Sequence, residues 1–303
     1  MSTSSHPILL AALDLDGTLL NHKNEVSPAT RQAIAEAVEQ GVVVLPATGR
    51  ALANLPAEVA QLPGIRYAIT SNGASVWDLG ADPLAAVYSR YADAAQRKTA
   101  QPACVFRSLF PAEKAREVFD LYAEYPGALS IFADGRVFRD ARSQELMGER
   151  LHRFSTTTEG RQPNDGRFHI IRDAAEWMSR HAHEVEKFCM FFDTAEQAKA
   201  ALPRFYAVEG IEVVQGSPDN LEVTYQGVDK GEALLALADR LGLPRESTLA
   251  VGDSENDRAM LEKAGAAAVM ANGMEHIKAL ADYVSEADCD HDGVAEIFRK
   301  RVL

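Results

Sequence analysis

The chain has 303 residues, 47% of them hydrophobic and 25% charged, enough to bury a sizeable core and inconsistent with a disordered, collagenous or low-complexity protein. Its 31 Lys plus Arg against 44 Asp plus Glu leave a formal net charge of −13, and an acidic surface repels phosphate backbones, so nucleic acid is excluded as an expected partner. Three scattered cysteines, Cys104, Cys189 and Cys289, form no Cys-x-x-Cys pair and support neither a disulfide framework nor a zinc knuckle. With no run approaching the roughly 20 apolar residues of a membrane span and no basic flank in Met1 to Pro7, a cytoplasmic protein without membrane attachment is expected.

The first apolar run, Ile8 to Leu13, reads as a strand buried on both faces of a parallel sheet and stops at Asp14-Leu15-Asp16-Gly17-Thr18. Ser27 and Pro28 open a helix as N-cap and first helical position, Thr30, Ala33, Ile34, Ala37 and Val38 recur at helical spacing, and Gly41 ends it. Val42 to Leu45 is a second buried strand and Tyr67 to Thr70 a third. Strand, helix and strand with tight joints make a βαβ unit. The C-terminal part repeats this grammar: a helix from about Lys230 to Leu241 closed by Gly242, a strand Thr248 to Val251, a helix from Glu255, a strand Ala266 to Met270, and a further helix.

Between these parts the pattern changes. Ala128 to Ala133 and Arg136 to Arg139 flank Asp134-Gly135, a dipeptide that takes the positive φ angles of a two-residue hairpin turn. Phe188, Met190 and Phe192 alternate with Lys187 and Asp193, predicting a strand with one wetter face. Thr194 and Gln197 occupy capping-box positions before a helix, and strands Ile211 to Val214 and Leu221 to Tyr225 follow. Arg139 to Glu186 is the least regular stretch. The reading is an α/β core made of residues 1–88 and 227–303, with an α+β insert at 89–226.

Four elements carry candidate chemistry. Asp14 and Asp16 lie at the carboxyl end of the first strand, where open α/β sheets bind ligands. Thr48-Gly49-Arg50 follows the second strand and offers a hydroxyl, an amide and a guanidinium to one anion. Lys230-Gly231 opens a helix, bringing a cation and free backbone amides. Gly252-Asp253-Ser254-x-Asn256-Asp257 follows another apolar strand, and its two carboxylates, four residues apart, suit a hard cation such as Mg²⁺. A polar turn is the bland alternative for a bare Asp-x-Asp, but four fixed positions of Asp-x-Asp-Gly-Thr match by chance on the order of once in a few hundred chains.

In this order the four elements resemble the haloacid dehalogenase superfamily of aspartate-nucleophile phosphotransferases, and specifically its Cof-type subfamily IIB hydrolases. Ser71-Asn72-Gly73-Ala74, Gly227-Val228-Asp229-Lys230-Gly231, Met260-Leu261, Met270-Ala271-Asn272 and Asp292-Gly293-Val294 extend the likeness from Asp14 to Val294. Pro46, which is expected to interrupt the end of the second strand, and Gly273, where the family commonly has alanine, are the departures, and neither touches a catalytic role. The resemblance implies a Rossmann-like parallel sheet core with an inserted type C2B cap.

It also implies roles. Asp14 would attack phosphorus and form an aspartyl phosphate, and Asp16 would protonate the leaving oxygen and then deprotonate water. An acid at that second position marks phosphatases and mutases, not dehalogenases. Mg²⁺ would be held by Asp14, the Asp16 carbonyl and Asp253; Thr48, Gly49 and Lys230 would bind the phosphoryl group, with Asp257 orienting Lys230 from behind. Asn256 contacts the phosphoryl group or caps the turn, and Ser254 has the same two readings. Arg50 and Asn72 are candidate substrate contacts, with a structural salt bridge as the alternative for Arg50. The expected activity is a Mg²⁺-dependent phosphatase for a small phosphorylated metabolite, as monomer or homodimer. A phosphomutase, and a non-catalytic metabolite-binding protein, are the alternatives.

Two other clusters are set aside. Asp288-x-Asp290-x-Asp292-Gly293 imitates the start of an EF-hand loop, but Arg299 stands where the twelfth-position glutamate is needed. His181 and His183 beside Glu184 and Glu186 read as solvated surface.

Overall fold

The computed structural model describes residues 6–90, 102–154 and 168–303. Its contacts divide the chain into two units, Met1–Arg107 with Asp229–Leu303, and Ser108–Val228.

The first unit opens with β1 (Leu10–Leu13), every residue of which is buried. Helix α1 (Pro28–Glu39) starts at Ser27, whose side chain accepts the Thr30 amide, and Pro28 supplies a preset first position. β2 (Val43–Pro46) returns beside β1. Pro46 does not interrupt it: the amides of Val43 and Ala47 point at β1, so the nitrogen of Pro46 faces the other way, where no bond to β1 is lost. A short α2 (Ala57–Ala60) precedes β3 (Tyr67–Thr70), which pairs antiparallel with β4 (Ser75–Asp78). After α3 (Pro83–Tyr88), β5 (Ala103–Arg107) adds to β4. That pairing places Ala103–Arg107 with the first unit, although the sequence reading began the insert at residue 89.

The second unit holds α4 (Ala112–Ala123), β6 (Ala128–Ala133), β7 (Arg136–Asp140), α5 (Ala141–Phe154), β8 (Phe168–Ile171), α6 (Ala174–His181), β9 (Val185–Phe191), α7 (Ala195–Tyr206), β10 (Ile211–Val214) and β11 (Asn220–Tyr225). Its sheet runs β10-β11-β9-β6-β7-β8. The β6–β7 turn has φ of 48° at Asp134 and 70° at Gly135, as a two-residue hairpin requires. Thr194 and Gln197 form the capping box of α7. Three expectations fail here. Within Arg139 to Glu186 the described residues are built largely of α5, β8, α6 and the start of β9, and 155–167 lie outside the described residues. β9 has no wet face: Lys187 is 1% exposed, its ammonium 2.8 Å from Glu222 and above the Phe132 ring. Glu186 is buried as well, accepting the Gly135 amide, whereas beside Glu184 His183 is exposed and His181 is half-buried with its ring stacked on Trp177.

The chain re-enters the first unit through α8 (Lys230–Arg240), β12 (Thr248–Gly252), α9 (Arg258–Lys263), β13 (Ala266–Val269), α10 (Glu275–Lys278), β14 (Tyr283–Val284) and α11 (Gly293–Arg301). A parallel sheet of order β14-β13-β12-β1-β2 results. Alternation along β1 sorts its side chains into two cores: Ala11 and Leu13 pack with α1 and α11, and Leu10 and Ala12 with α8 and α9. The sheet is therefore a middle layer between helices, as its unbroken apolar strands require. Among the described residues no helix is long and apolar enough to cross a membrane.

Candidate active site

Register brings the site together. Leu13 lies opposite both Val251 and Pro46, so β1, β12 and β2 end level, and Asp14, Asp253 and Thr48 emerge side by side at their carboxyl ends. The fourth element arrives with α8, whose N-cap Asp229 accepts the Gly231 and Glu232 amides and fixes where Lys230 begins the helix. Ser71, Asn72 and Gly73, all at positive φ, let the loop after β3 press on that start: a Cβ on Gly73 would lie 2.1 Å from the Asp229 carbonyl oxygen.

Lys230 is fully buried and its ammonium donates to Asp14 Oδ1 at 2.6 Å and to Asp257 Oδ1 at 2.7 Å. Burial alone would depress the ammonium, but Asp14 and Asp257 outweigh it and the pKa is raised. Asp257 is engaged on both oxygens, since Oδ2 accepts the amides of Asp253 and Ser254 at 3.0 and 3.2 Å. It approaches that closely because residue 252 is glycine, where a Cβ would meet the Asp257 carboxyl at 2.5 Å. Thr18 donates to Asp253 Oδ1 at 3.0 Å.

Asp14, Asp253 and Asp257 each bring a carboxylate oxygen within 4.8 Å of the others. Burial, with the charges of Asp257 and Asp253, raises the Asp14 pKa well above its ordinary value despite Lys230. Burial and then Asp257 raise Asp253 to about 6. When ionised, these three carboxylates against one ammonium leave a net charge of minus two, which one divalent cation balances. The donors are all oxygens, the set a hard cation takes. Because both oxygens of Asp257 are already occupied, Asp14 and Asp253 are the better placed to be ligands.

Asp16 sits apart from this buried group. Its carboxylate is 57% exposed and makes a two-pronged ion pair with Arg50, one arm of which, from Nε to Oδ2, is 3.0 Å. The salt bridge weighed for Arg50 is thus present, and its partner is itself a candidate catalytic residue. Such an exposed pair contributes only about 0–1 kcal/mol, enough to hold Asp16 in place without locking it. Thr48 is buried, its hydroxyl accepting the Arg50 amide at 3.1 Å; its carbonyl accepts the Asn72 amide at 3.1 Å, and Gly49 lies between Thr48 and Arg50. Asn256 accepts from the Ser254 hydroxyl at 2.7 Å, next to Asp253. Two contributors escaped the sequence reading. Thr18 was seen only as part of a motif, and Gly17, at φ 87° with Asp253 Oδ2 2.8 Å from where a Cβ would lie, sets how closely the two loops meet.

The profile of the haloacid dehalogenase-like hydrolases matches residues 11–298. The chain is 28% identical over 296 residues to the 5-amino-6-(5-phospho-D-ribitylamino)uracil phosphatase YcsE of Bacillus subtilis, covering 98% of this chain and 96% of that one. It is 27% identical over 289 residues to an HMP-PP phosphatase of Yersinia pseudotuberculosis, covering 94% and 92%. Among solved structures, a haloacid dehalogenase-like hydrolase from B. subtilis superposes with a TM-score of 0.75 at 27% identity, over 96% of this chain and 99% of that one. A subclass IIB sugar phosphatase shares the fold, with a TM-score of 0.71 at 21% identity over 96% and 98%. An Asp-x-Asp turn, a lysine and a pair of aspartates meeting at level strand ends agree with this match along nearly the whole length: the chain belongs to the haloacid dehalogenase-like hydrolase family.

Proposed function

We propose that this chain is a Mg²⁺-dependent phosphatase that hydrolyses a small phosphorylated metabolite through an aspartyl phosphate on Asp14. The observation that carries the reading is the buried Asp14 carboxylate, held by Lys230 at 2.6 Å and grouped with Asp253 and Asp257 in a cluster that lacks two positive charges. The names of the relatives, a phosphoribitylaminouracil phosphatase and HMP-PP phosphatases, support a small metabolite as substrate. We assign Ser108–Val228 to the cap and the enzyme to the cytoplasm, where its three cysteines, none of them in a disulfide, stay reduced.

Asp14 attacks phosphorus in line while Asp16, having left Arg50 and taken up a proton, gives that proton to the departing oxygen. The Asp16 carboxylate then takes a proton from water, whose oxygen attacks the same phosphorus, releasing inorganic phosphate and restoring Asp14. Thr48, the Gly49 amide, Lys230 and Asn256 hold the phosphoryl oxygens, and Asp257 keeps Lys230 aimed. Asp14, the Asp16 carbonyl and Asp253 are the residues that would hold Mg²⁺, which cancels the repulsion between a carboxylate nucleophile and a phosphate when bound.

Phosphate release from a panel of sugar phosphates, nucleotides, pyridoxal phosphate and a chromogenic phosphate ester tests this. Release that needs Mg²⁺ and stops with chelator is expected, favouring one class of compound. Release undiminished by chelator, or none from any compound by the folded protein with Mg²⁺, contradicts it.

A further inference from the structure

The acidic loop before α11 is no EF-hand, yet it carries Cys289 and Asp290 to the loop after β1, where His22 meets them from 267 and 268 positions away in the chain. Both oxygens of Asp290 face His22: Oδ1 accepts its amide at 2.9 Å and Oδ2 lies 2.6 Å from Nδ1. Cys289 Sγ lies 3.8 Å from the same Nδ1. Imidazole nitrogen, thiol sulfur and carboxylate oxygen all fall within 4.8 Å of one another.

We propose that His22 Nδ1, Cys289 Sγ and the Asp290 carboxylate form a second metal site, for a borderline-soft divalent cation such as Zn²⁺. The proposal goes beyond the phosphatase reading and does not depend on it. Its argument is donor chemistry: Mg²⁺ takes oxygen ligands and leaves thiolates, whereas one sulfur, one nitrogen and one oxygen are a set Zn²⁺ and Co²⁺ accept, with a fourth position open to water. Tetrahedral coordination at ordinary Zn–S, Zn–N and Zn–O lengths puts the donor atoms about 3.3–3.6 Å apart. The His22–Cys289 separation of 3.8 Å is already close to that. The His22–Asp290 pair would open by about 0.7 Å, which two exposed side chains can do.

The position gives the site a connection. Asn272 accepts the Cys289 amide at 3.0 Å on its oxygen and donates to the Gly17 carbonyl at 2.7 Å through its amide nitrogen. One side chain thus separates Cys289 from the glycine that abuts Asp253. A cation there would clip the loop after β1 to the loop before α11.

The test is a Co²⁺ titration of the full chain in excess Mg²⁺, read by thiolate-to-cobalt charge-transfer absorption in the near ultraviolet, a signal that carboxylates cannot give. The expected band saturates at one Co²⁺ per chain, is displaced by Zn²⁺, vanishes in Cys289→Ser and persists in Asp253→Asn. In His22→Ala, which alters a side chain 76% exposed and leaves the core intact, the titration midpoint rises roughly tenfold or more. No band at roughly millimolar Co²⁺, a band that survives Cys289→Ser, or a midpoint unmoved by His22→Ala would each overturn the site and leave His22–Asp290 as a surface ion pair.

Discussion

Asp14→Asn is expected to lower phosphate release by at least about 10³-fold while leaving the protein folded, because an amide of the same shape cannot attack phosphorus. The stability half of this expectation follows from the electrostatics. Burial and the neighbouring carboxylates already oppose the charge on Asp14, so a neutral isostere relieves repulsion as well as losing one bond from Lys230. Lys230 keeps Asp257 at 2.7 Å and is not stranded. Urea unfolding alongside the rate measurement separates the two effects. A variant with an unchanged midpoint and most of its activity would mean that Asp14 is not the nucleophile.

Lys230→Met has the opposite signature, losing stability together with activity. The substitution fills much of the space but leaves Asp14 and Asp257 buried without their shared cation, and removing one partner of a buried pair costs about 3–5 kcal/mol. The sign with pH is fixed. Asp14 already has a folded-state pKa above the unfolded value of 3.8, and losing Lys230 removes what lowers it. A carboxyl raised in the folded state opposes folding above its folded pKa and stops doing so once pH falls below the unfolded value. The deficit of Lys230→Met against the parent should therefore be greatest near neutrality and above, and should shrink on acidification toward about pH 4. Urea midpoints across that range decide it. A deficit that grows as pH falls would show that Lys230 is not acting through these carboxylates.

The difference between these two variants reflects how the site is built, and much of that is legible in the sequence. Asp14, Thr48, Lys230 and Asp253 could be placed because each follows an apolar strand or opens a capped helix, and parallel strands of matched length bring such ends level. The Asp134-Gly135 turn and the Thr194–Gln197 capping box are local devices, and local sequence specifies them. What stayed hidden depended on distant partners. Lys187 reads as a position on a wetter strand face and Glu186 as part of a solvated cluster because Glu222 and Gly135, which satisfy them, come from other parts of the chain. The helix α5 was missed because Leu146, Met147, Leu151 and Phe154 are outnumbered by charged and polar neighbours. β4 and β5 are short, and what defines them is pairing, β4 with β3 and β5 with β4. The contact of His22 with Cys289 and Asp290 spans nearly the whole chain, and no spacing rule reaches that far.

The central claim is that Asp14 carries the phosphoryl group between two steps, and Asp16→Asn exposes that intermediate. With a chromogenic aryl phosphate the leaving group needs no proton, so the first step proceeds, whereas the second lacks its base. The account predicts a burst of one chromophore per chain followed by slow turnover, with acid-quenched protein bearing a single phosphoryl group on the peptide that contains Asp14. Steady release with no burst, or a phosphoryl group recovered on any other residue, would contradict it.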